Sequence, residues 1–288
     1  MARLDEIGPW SREKLEMLRQ YLAAYTSILK GPTKNRAWCK ACHYVDAFAG
    51  SVRSLDKETW ELIDGSPLVA LNNNPAFDSF IFIDRDKKRF QECVQPLMTE
   101  FPSARIEPLF GDCNDVILHS VLPRFSGRDC PERGFIFLDP YGLQLRWDTV
   151  EAIAKSGVFD ILVNFSVMGI YRQLGELPPE GAHRERITAV IGDDSWFNEA
   201  YPRNQQLSFL DDPRLTVKRR NEGLAQRLAE CYRRRLGECF EHVSRAIMMY
   251  GPTGSPLYAL ILASHAKIAK KRMEEIFARQ ERRKNKKI

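Results

Sequence analysis

Four short, continuously apolar runs in the first half of the chain each carry or meet an aspartate at their carboxyl end. Tyr44–Phe48 contains Asp46, and Ser79–Ile83 stops at Asp84. Ile106–Phe110 is followed by Gly111 and Asp112, and Phe135–Leu138 stops at Asp139. Segments of helical periodicity separate them: Ser66–Asn72, Lys87–Phe101 with Phe90, Val94 and Leu97 on one face, Asp115–Leu122 and Thr149–Lys155. A fifth apolar run, Ile161–Asn164, follows. Strands without polar alternation are buried on both faces, which predicts a parallel sheet covered by helices. In such sheets ligands bind outside the carboxyl ends of the strands, where these acids gather.

The fourth run ends in Asp139-Pro140-Tyr141-Gly142. That tetrad reads as the mouth of a cleft or, equally well on its own, as a helix-capping aspartate followed by a Pro-Tyr turn. Upstream, Leu15, Leu18, Leu22 and Tyr25 recur at helical spacing, which predicts an amphipathic helix over Ser11–Lys30. Downstream, the segment 168–215 is mixed in pattern, and Leu224–Leu236 reads as an arginine-rich helix. Arg245–Tyr250 and Tyr258–Ser264 read as two strands joined by a Gly-Pro-rich turn, a hairpin. Five parallel units closed by a hairpin is the strand inventory of a class I methyltransferase. The expected fold is therefore α/β and Rossmann-like, with a seven-stranded mostly parallel sheet and helices on both faces. One domain, 1–265, would hold the sheet and an inserted segment, 168–215. A basic C-terminal tail, 266–288, would follow.

At 44% hydrophobic the chain can bury a sizeable core. It has no apolar run long enough to span a membrane, and its acidic, proline-broken start is unlike a signal peptide. Seven cysteines at scattered spacing fit a reducing compartment better than a disulfide framework, so the expected location is cytoplasmic. The net charge of +5 is unevenly spread. Lys267–Ile288 holds ten Lys or Arg against three Glu, which leaves the remainder slightly acidic. A tail of this kind can contact nucleic-acid phosphates; a solvated, frayed end is the alternative. Tyr232–Arg235 is read the same way, as a solvated helix face or an RNA contact.

Strand-end acids in register suit a nucleoside-bearing cofactor. An acid after the second strand can hold ribose hydroxyls, and one after the third can accept the adenine amino proton. Gly50 lets the backbone approach a ligand closely. The next helix begins only at Gly65-Ser66-Pro67, so the glycine loop and helix N-terminus are far apart in sequence. A pyrophosphate site wants them together, which favours S-adenosylmethionine. Asp139 could then accept N–H protons of an exocyclic base amine and aim its lone pair at the methyl group. Tyr141 could stack on the base. Catalysis would be positioning, with neither metal nor covalent nucleophile. Cys39-Lys40-Ala41-Cys42-His43 has haem-attachment spacing but abuts the first strand.

Taken together, VDAFAG at Val45–Gly50, DGSPLVAL at Asp64–Leu71, FIDRD at Phe82–Asp86, GDCND at Gly111–Asp115, FLDPYGL at Phe137–Leu143 and SPLYALILASH at Ser255–His265 resemble the three-Cys-motif partner proteins. The resemblance runs from about Trp10 to His265. It implies a methyltransferase-like fold, S-adenosylmethionine as cofactor, and a partner protein carrying three cysteines. By position it assigns Asp46, Phe48 and Gly50 to the methionine end of the cofactor, Asp84 to its ribose and Asp112 to its adenine; Cys113 is counted with them as cofactor-binding. Asp139, Pro140 and Tyr141 fall to the target. The D-P-Y-G tetrad is also similar to the motif of tRNA guanine-N2 dimethyltransferases. It differs from the D-P-P-Y of adenine-N6 enzymes.

The expected function is methylation of an exocyclic amine of a nucleobase in RNA or DNA. Two alternatives stay open: a non-catalytic or partner-dependent module that docks a three-Cys-motif protein, and a methyltransferase for a protein or small molecule.

Overall fold

The computed structural model describes residues 5–31, 39–125, 130–175, 178–201 and 223–285. Its strands in chain order are β1 (Asp5–Ile7), β2 (Ala41–Asp46), β3 (Arg53–Asp56), β4 (Leu62–Asp64), β5 (Ser79–Asp84) and β6 (Ile106–Phe110). They continue with β7 (Glu132–Leu138), β8 (Phe159–Phe165), β9 (His242–Val243), β10 (Ile247–Tyr250) and β11 (Pro256–Ser264). The main sheet runs β10-β11-β8-β7-β2-β5-β6, with the two-residue β9 also pairing to β11. Strands β2, β5, β6, β7 and β8 are parallel; β11 is antiparallel to β8 and β10 antiparallel to β11. The expected hairpin is therefore present, and it closes the sheet.

Strand order reverses between β2 and β7. There β2 leads outward to β5 and β6, whereas β7 leads to β8. This is the topological switch point, and Asp46 and Asp139 stand on its two sides.

Side-chain alternation divides the core into two layers. Tyr44, Phe82 and Phe135 face one side of the sheet, whereas Val45, Ile81 and Ile136 face the other. On the aromatic side lies the helix Pro9–Lys30, whose Met17, Leu18, Tyr21 and Leu22 are all but fully buried. Tyr21 lies 5.3 Å from the Phe135 ring, and the Tyr25 hydroxyl donates to the Gly134 carbonyl at 2.7 Å. The helix begins two residues before the expected Ser11, because Pro9 suits the first turn of a helix. On the opposite side the helices Trp147–Ser156 and Leu224–Cys239 cover the sheet, with Tyr232 stacked on Phe165 at 4.3 Å.

Three sequence expectations change. Lys87–Phe101 is not one helix. A wide turn, with Gln95 N–H bonded to the Phe90 carbonyl, separates Lys87–Arg89 from Leu97–Glu100, and Pro96 has no N–H to continue the ladder. The mixed segment contributes the helices Val167–Tyr171, Gly181–Ile191 and Ser195–Ala200; Ile187, Ile191 and Trp196 are fully buried in the core. The parts of that segment at 176–177 and 202–215 lie outside the described residues. Lastly, residues 267–285 of the basic C-terminal segment form a helix rather than a frayed end. Met273 and Phe277 are fully buried there against the aromatic layer.

If that last helix is part of the core, Phe277→Ala should lower unfolding free energy by about 3–5 kcal/mol in urea titrations. A change below about 1 kcal/mol, the size typical of surface substitutions, would show a loosely attached end.

Candidate active site

A cleft of about 870 Å³ opens at the carboxyl ends of the parallel strands. Its wall includes Phe48, Gly50, Asp84, Asp112, Cys113, Asp139, Pro140 and Tyr141. Eight of the nine residues singled out from sequence therefore converge on one cavity. The ninth, Asp46, lies behind the wall. It is fully buried, and its carboxyl accepts from the Tyr44 hydroxyl at 3.1 Å and the Phe48 N–H at 3.3 Å. Asp46 thus braces the loop from beneath.

The loop after β2 is shaped by backbone contacts. Ala49 N–H reaches the Ile83 carbonyl at 2.8 Å, and Gly50 N–H donates to Asp84 at 2.8 Å. Gly50 has φ of +55°, a conformation that glycine adopts without strain. A small second sheet, in which β3 pairs with β1 and β4, then fills the interval before the next helix. The sequence pattern did not anticipate it, because its strands are only three or four residues long. It folds the chain back so that Gly65 N–H meets the Val52 carbonyl at 2.8 Å. A Cβ at Gly65 would sit 2.4 Å from the Ser51 carbonyl oxygen, so only glycine permits this approach. The glycine loop and the following helix are therefore adjacent in space, and their sequence separation no longer argues against a phosphate ligand. Charge now supplies that argument: seven carboxylates line the cleft against four cationic side chains, which disfavours a pyrophosphate.

Asp84 and Asp112 stand at successive strand ends. Asp84 also accepts from Asp86 N–H at 2.7 Å, and Asp112 caps the next turn through Asn114 N–H at 2.9 Å. Each Asp84 oxygen so used keeps a further lone pair, whereas Asp112 Oδ1 also takes Asn114 Nδ2 at 2.8 Å, which leaves Oδ2, 3.8 Å from Arg85, as its oxygen for a ligand. Burial pushes the Cys113 thiol up to about 12, so it stays neutral as part of the wall.

Asp139 is held on both oxygens. Lys14 Nζ donates to Oδ2 at 2.5 Å, and Asn164 Nδ2 donates to Oδ1 at 2.6 Å. The Lys14 ammonium also lies 5.3 Å from the centre of the Tyr258 ring. Sequence reading missed Lys14, Asn164 and Tyr258. A signal existed for Lys14, which falls on the apolar stripe of its helix with Leu18, Tyr21, Leu22 and Tyr25 and is 7% exposed. A charge on a buried stripe needs a partner. Asn164 Oδ1 is buried and finds no donor among the described residues. Tyr141 is 79% exposed, so its ring stands free at the rim.

Other motifs resolve into structure. His43 sits between Ser79 at 2.7 Å and Glu132 at 3.0 Å. Among the described residues no group of three or more His, Cys, Asp or Glu is placed to hold a metal ion. Arg233, Arg234 and Arg235 pair with Glu230, Glu199 and Asp193. No described helix is long and apolar enough to cross a membrane.

Burial pushes the Asp46 carboxyl up to about 7, against an ordinary 3.8. The folded state therefore holds this proton where the unfolded chain has released it, and stability falls as pH rises from about 4 through about 7. An asparagine mimics the protonated form. The wild type should accordingly lose thermal stability relative to Asp46→Asn as pH rises through about 7; parallel curves would contradict a buried, proton-binding Asp46.

No family model matches the chain, and no curated protein matches it. Among solved structures it is similar to LPL1258 of Legionella pneumophila, a protein of the DUF519 family model. That match has a TM-score of 0.50 at 12% identity and covers 89% of this chain and 85% of the other. It is also similar to a spermidine synthase from Thermotoga maritima (TM-score 0.41, 9% identity, 89% and 62% covered). A third match is yhhF, a candidate methyltransferase from Escherichia coli (TM-score 0.30, 15% identity, 56% and 73% covered). Identities this low speak to fold alone. With the β6-β5-β2-β7-β8-β11-β10 order and its antiparallel closing strand, the chain has a Rossmann-like, class I methyltransferase-like fold.

Proposed function

We propose that this chain is an S-adenosylmethionine-dependent methyltransferase that acts on an exocyclic amine of a nucleobase, of the three-Cys-motif partner type that its motifs resemble. The observation that carries the reading is Asp139, a carboxylate at the switch point that already binds an N–H donor, the Lys14 ammonium.

The residues present fit the cofactor. Asp84 and Asp112 line the cleft at successive strand ends and would hold the ribose hydroxyls and the adenine amino group. Gly50 leaves the loop open, with no Cβ over the bend. The excess of carboxylates suits a ligand that carries a sulfonium and an ammonium. Bound there, the cofactor supplies an electrophilic methyl group.

This chain's own side chains would then position the nucleophile. An amine N–H entering the cleft would bind Asp139 beside Lys14, on a lone pair that its quarter-exposed carboxylate keeps free. Asn164, whose Nδ2 donates to the other carboxylate oxygen at 2.6 Å, holds Asp139 in orientation. With an N–H held on Asp139, the amine would direct its lone pair away from the carboxylate. The proton that the amine loses on methylation would leave to Asp139 or to water. Tyr141, free at the rim, offers a face for base stacking worth about 1–3 kcal/mol. A base within a duplex would first be flipped out.

Calorimetry with S-adenosylhomocysteine should show binding to the wild type and unchanged binding to Asp139→Ala. Incubation with radiolabelled methyl donor and separated RNA, DNA and protein pools should label a nucleic acid, and Asp139→Ala should cut that rate by about 10²-fold or more. Absence of cofactor binding removes the proposal; label in protein alone removes the nucleobase.

A further inference from the structure

The helices Pro9–Lys30 and Lys267–Asn285 lie side by side and leave a groove of about 570 Å³ between them. On the first helix the lining recurs at helical spacing from Glu16 to Ile28, about 18 Å of axis. Its floor is small, with Ala23, Ala24 and Ser27. Four guanidinium groups, Arg19, Arg272, Arg279 and Arg283, border it against two carboxylates. Both carboxylates are already matched: Glu16 with Arg19 at 2.8 Å and Glu275 with Arg272 at 2.9 Å. Arg279 and Arg283 form no ion pair among the described residues, so the groove keeps two uncompensated cations.

We propose that this groove binds the phosphodiester backbone of a single-stranded nucleic acid and leads it to the Asp139 cleft. The inference rests on the nucleobase reading above. Charge argues for the occupant, since two unpaired guanidinium forks beside a groove lined by small residues suit successive phosphates. Continuity argues for the direction. Ser11 and Leu15 line the cleft and Arg19 lines the groove, each one turn from the last along a single helix face. A strand lying along that face delivers its next nucleotide to the cleft. The groove exists only because the basic C-terminal segment docks as a helix. It binds through the helix's outer arginines while Met273 and Phe277 anchor the inner face.

The test is fluorescence anisotropy of a labelled single strand of about 12 nucleotides, as RNA and as DNA, across a salt series. Full-length wild type is compared with the double variant Arg279→Gln and Arg283→Gln; both positions are exposed and distant from the cofactor residues. Binding by the wild type, with a log–log salt slope shallower by about 1.4 in the variant, is expected, at about 0.7 per lost phosphate contact. Loss on either strand supports the groove, and the tighter strand identifies the sugar. Unchanged affinity and slope in the variant, or no binding by the wild type, overturns it. S-adenosylhomocysteine binding, measured on the same samples, separates the outcomes: an intact cofactor signal with an unchanged slope refutes the groove alone. A lost cofactor signal with a reduced slope refutes the methyltransferase reading alone.

Discussion

The buried contact between Lys14 and Asp139 ties the molecule together. It joins the first helix to the end of β7 across 125 positions of sequence, and Asn164 at the end of β8 completes it. Desolvating an ammonium and a carboxylate costs several kcal/mol per ion unless geometry and hydrogen bonds compensate. Here both carboxylate oxygens are satisfied. The side chains are 9% and 25% exposed, so the pair sits at the border between core and cleft. The same contact that seats the helix also shapes the site.

Around it, the acids divide by depth. Asp46 is sealed and held by Tyr44 and the loop backbone, and burial pushes it up toward neutrality. Asp84 and Asp112 reach the cleft and also fix the turns that present them. Four acids in similar sequence settings therefore do different work. Asp160, on β8, repeats the pattern of Asp46: burial raises it to about 7, and the Tyr21 hydroxyl lies 3.5 Å away. The aromatic layer thus meets one sealed carboxyl, Asp46, and one half-buried carboxyl, Asp160.

Much of the fold was legible in the chain because the parallel strands are apolar throughout. Ile106–Phe110 was placed to the residue, and the hairpin was recognisable from its turn chemistry. What escaped was short or cooperative. The three-stranded side sheet has too few residues for a period to show, and Pro96 broke a helix whose apolar spacing looked continuous. The C-terminal helix was hidden by its own charge. Its basic composition suggested a solvated end, although Met273, Ile276 and Phe277 keep a narrow buried stripe.

The sequence alone determined the order of the parallel strands of the main sheet, the hairpin closure, and the four strand-end acids, since each rests on local pattern and chain direction. Tertiary structure decided which acid faces the cleft and which is sealed. It also brought Lys14, Asn164 and Tyr258 to Asp139, and closed the gap between Gly50 and Gly65. These outcomes depend on which elements lie side by side, and on how much water each carboxylate loses when they do. A one-dimensional pattern does not contain either quantity.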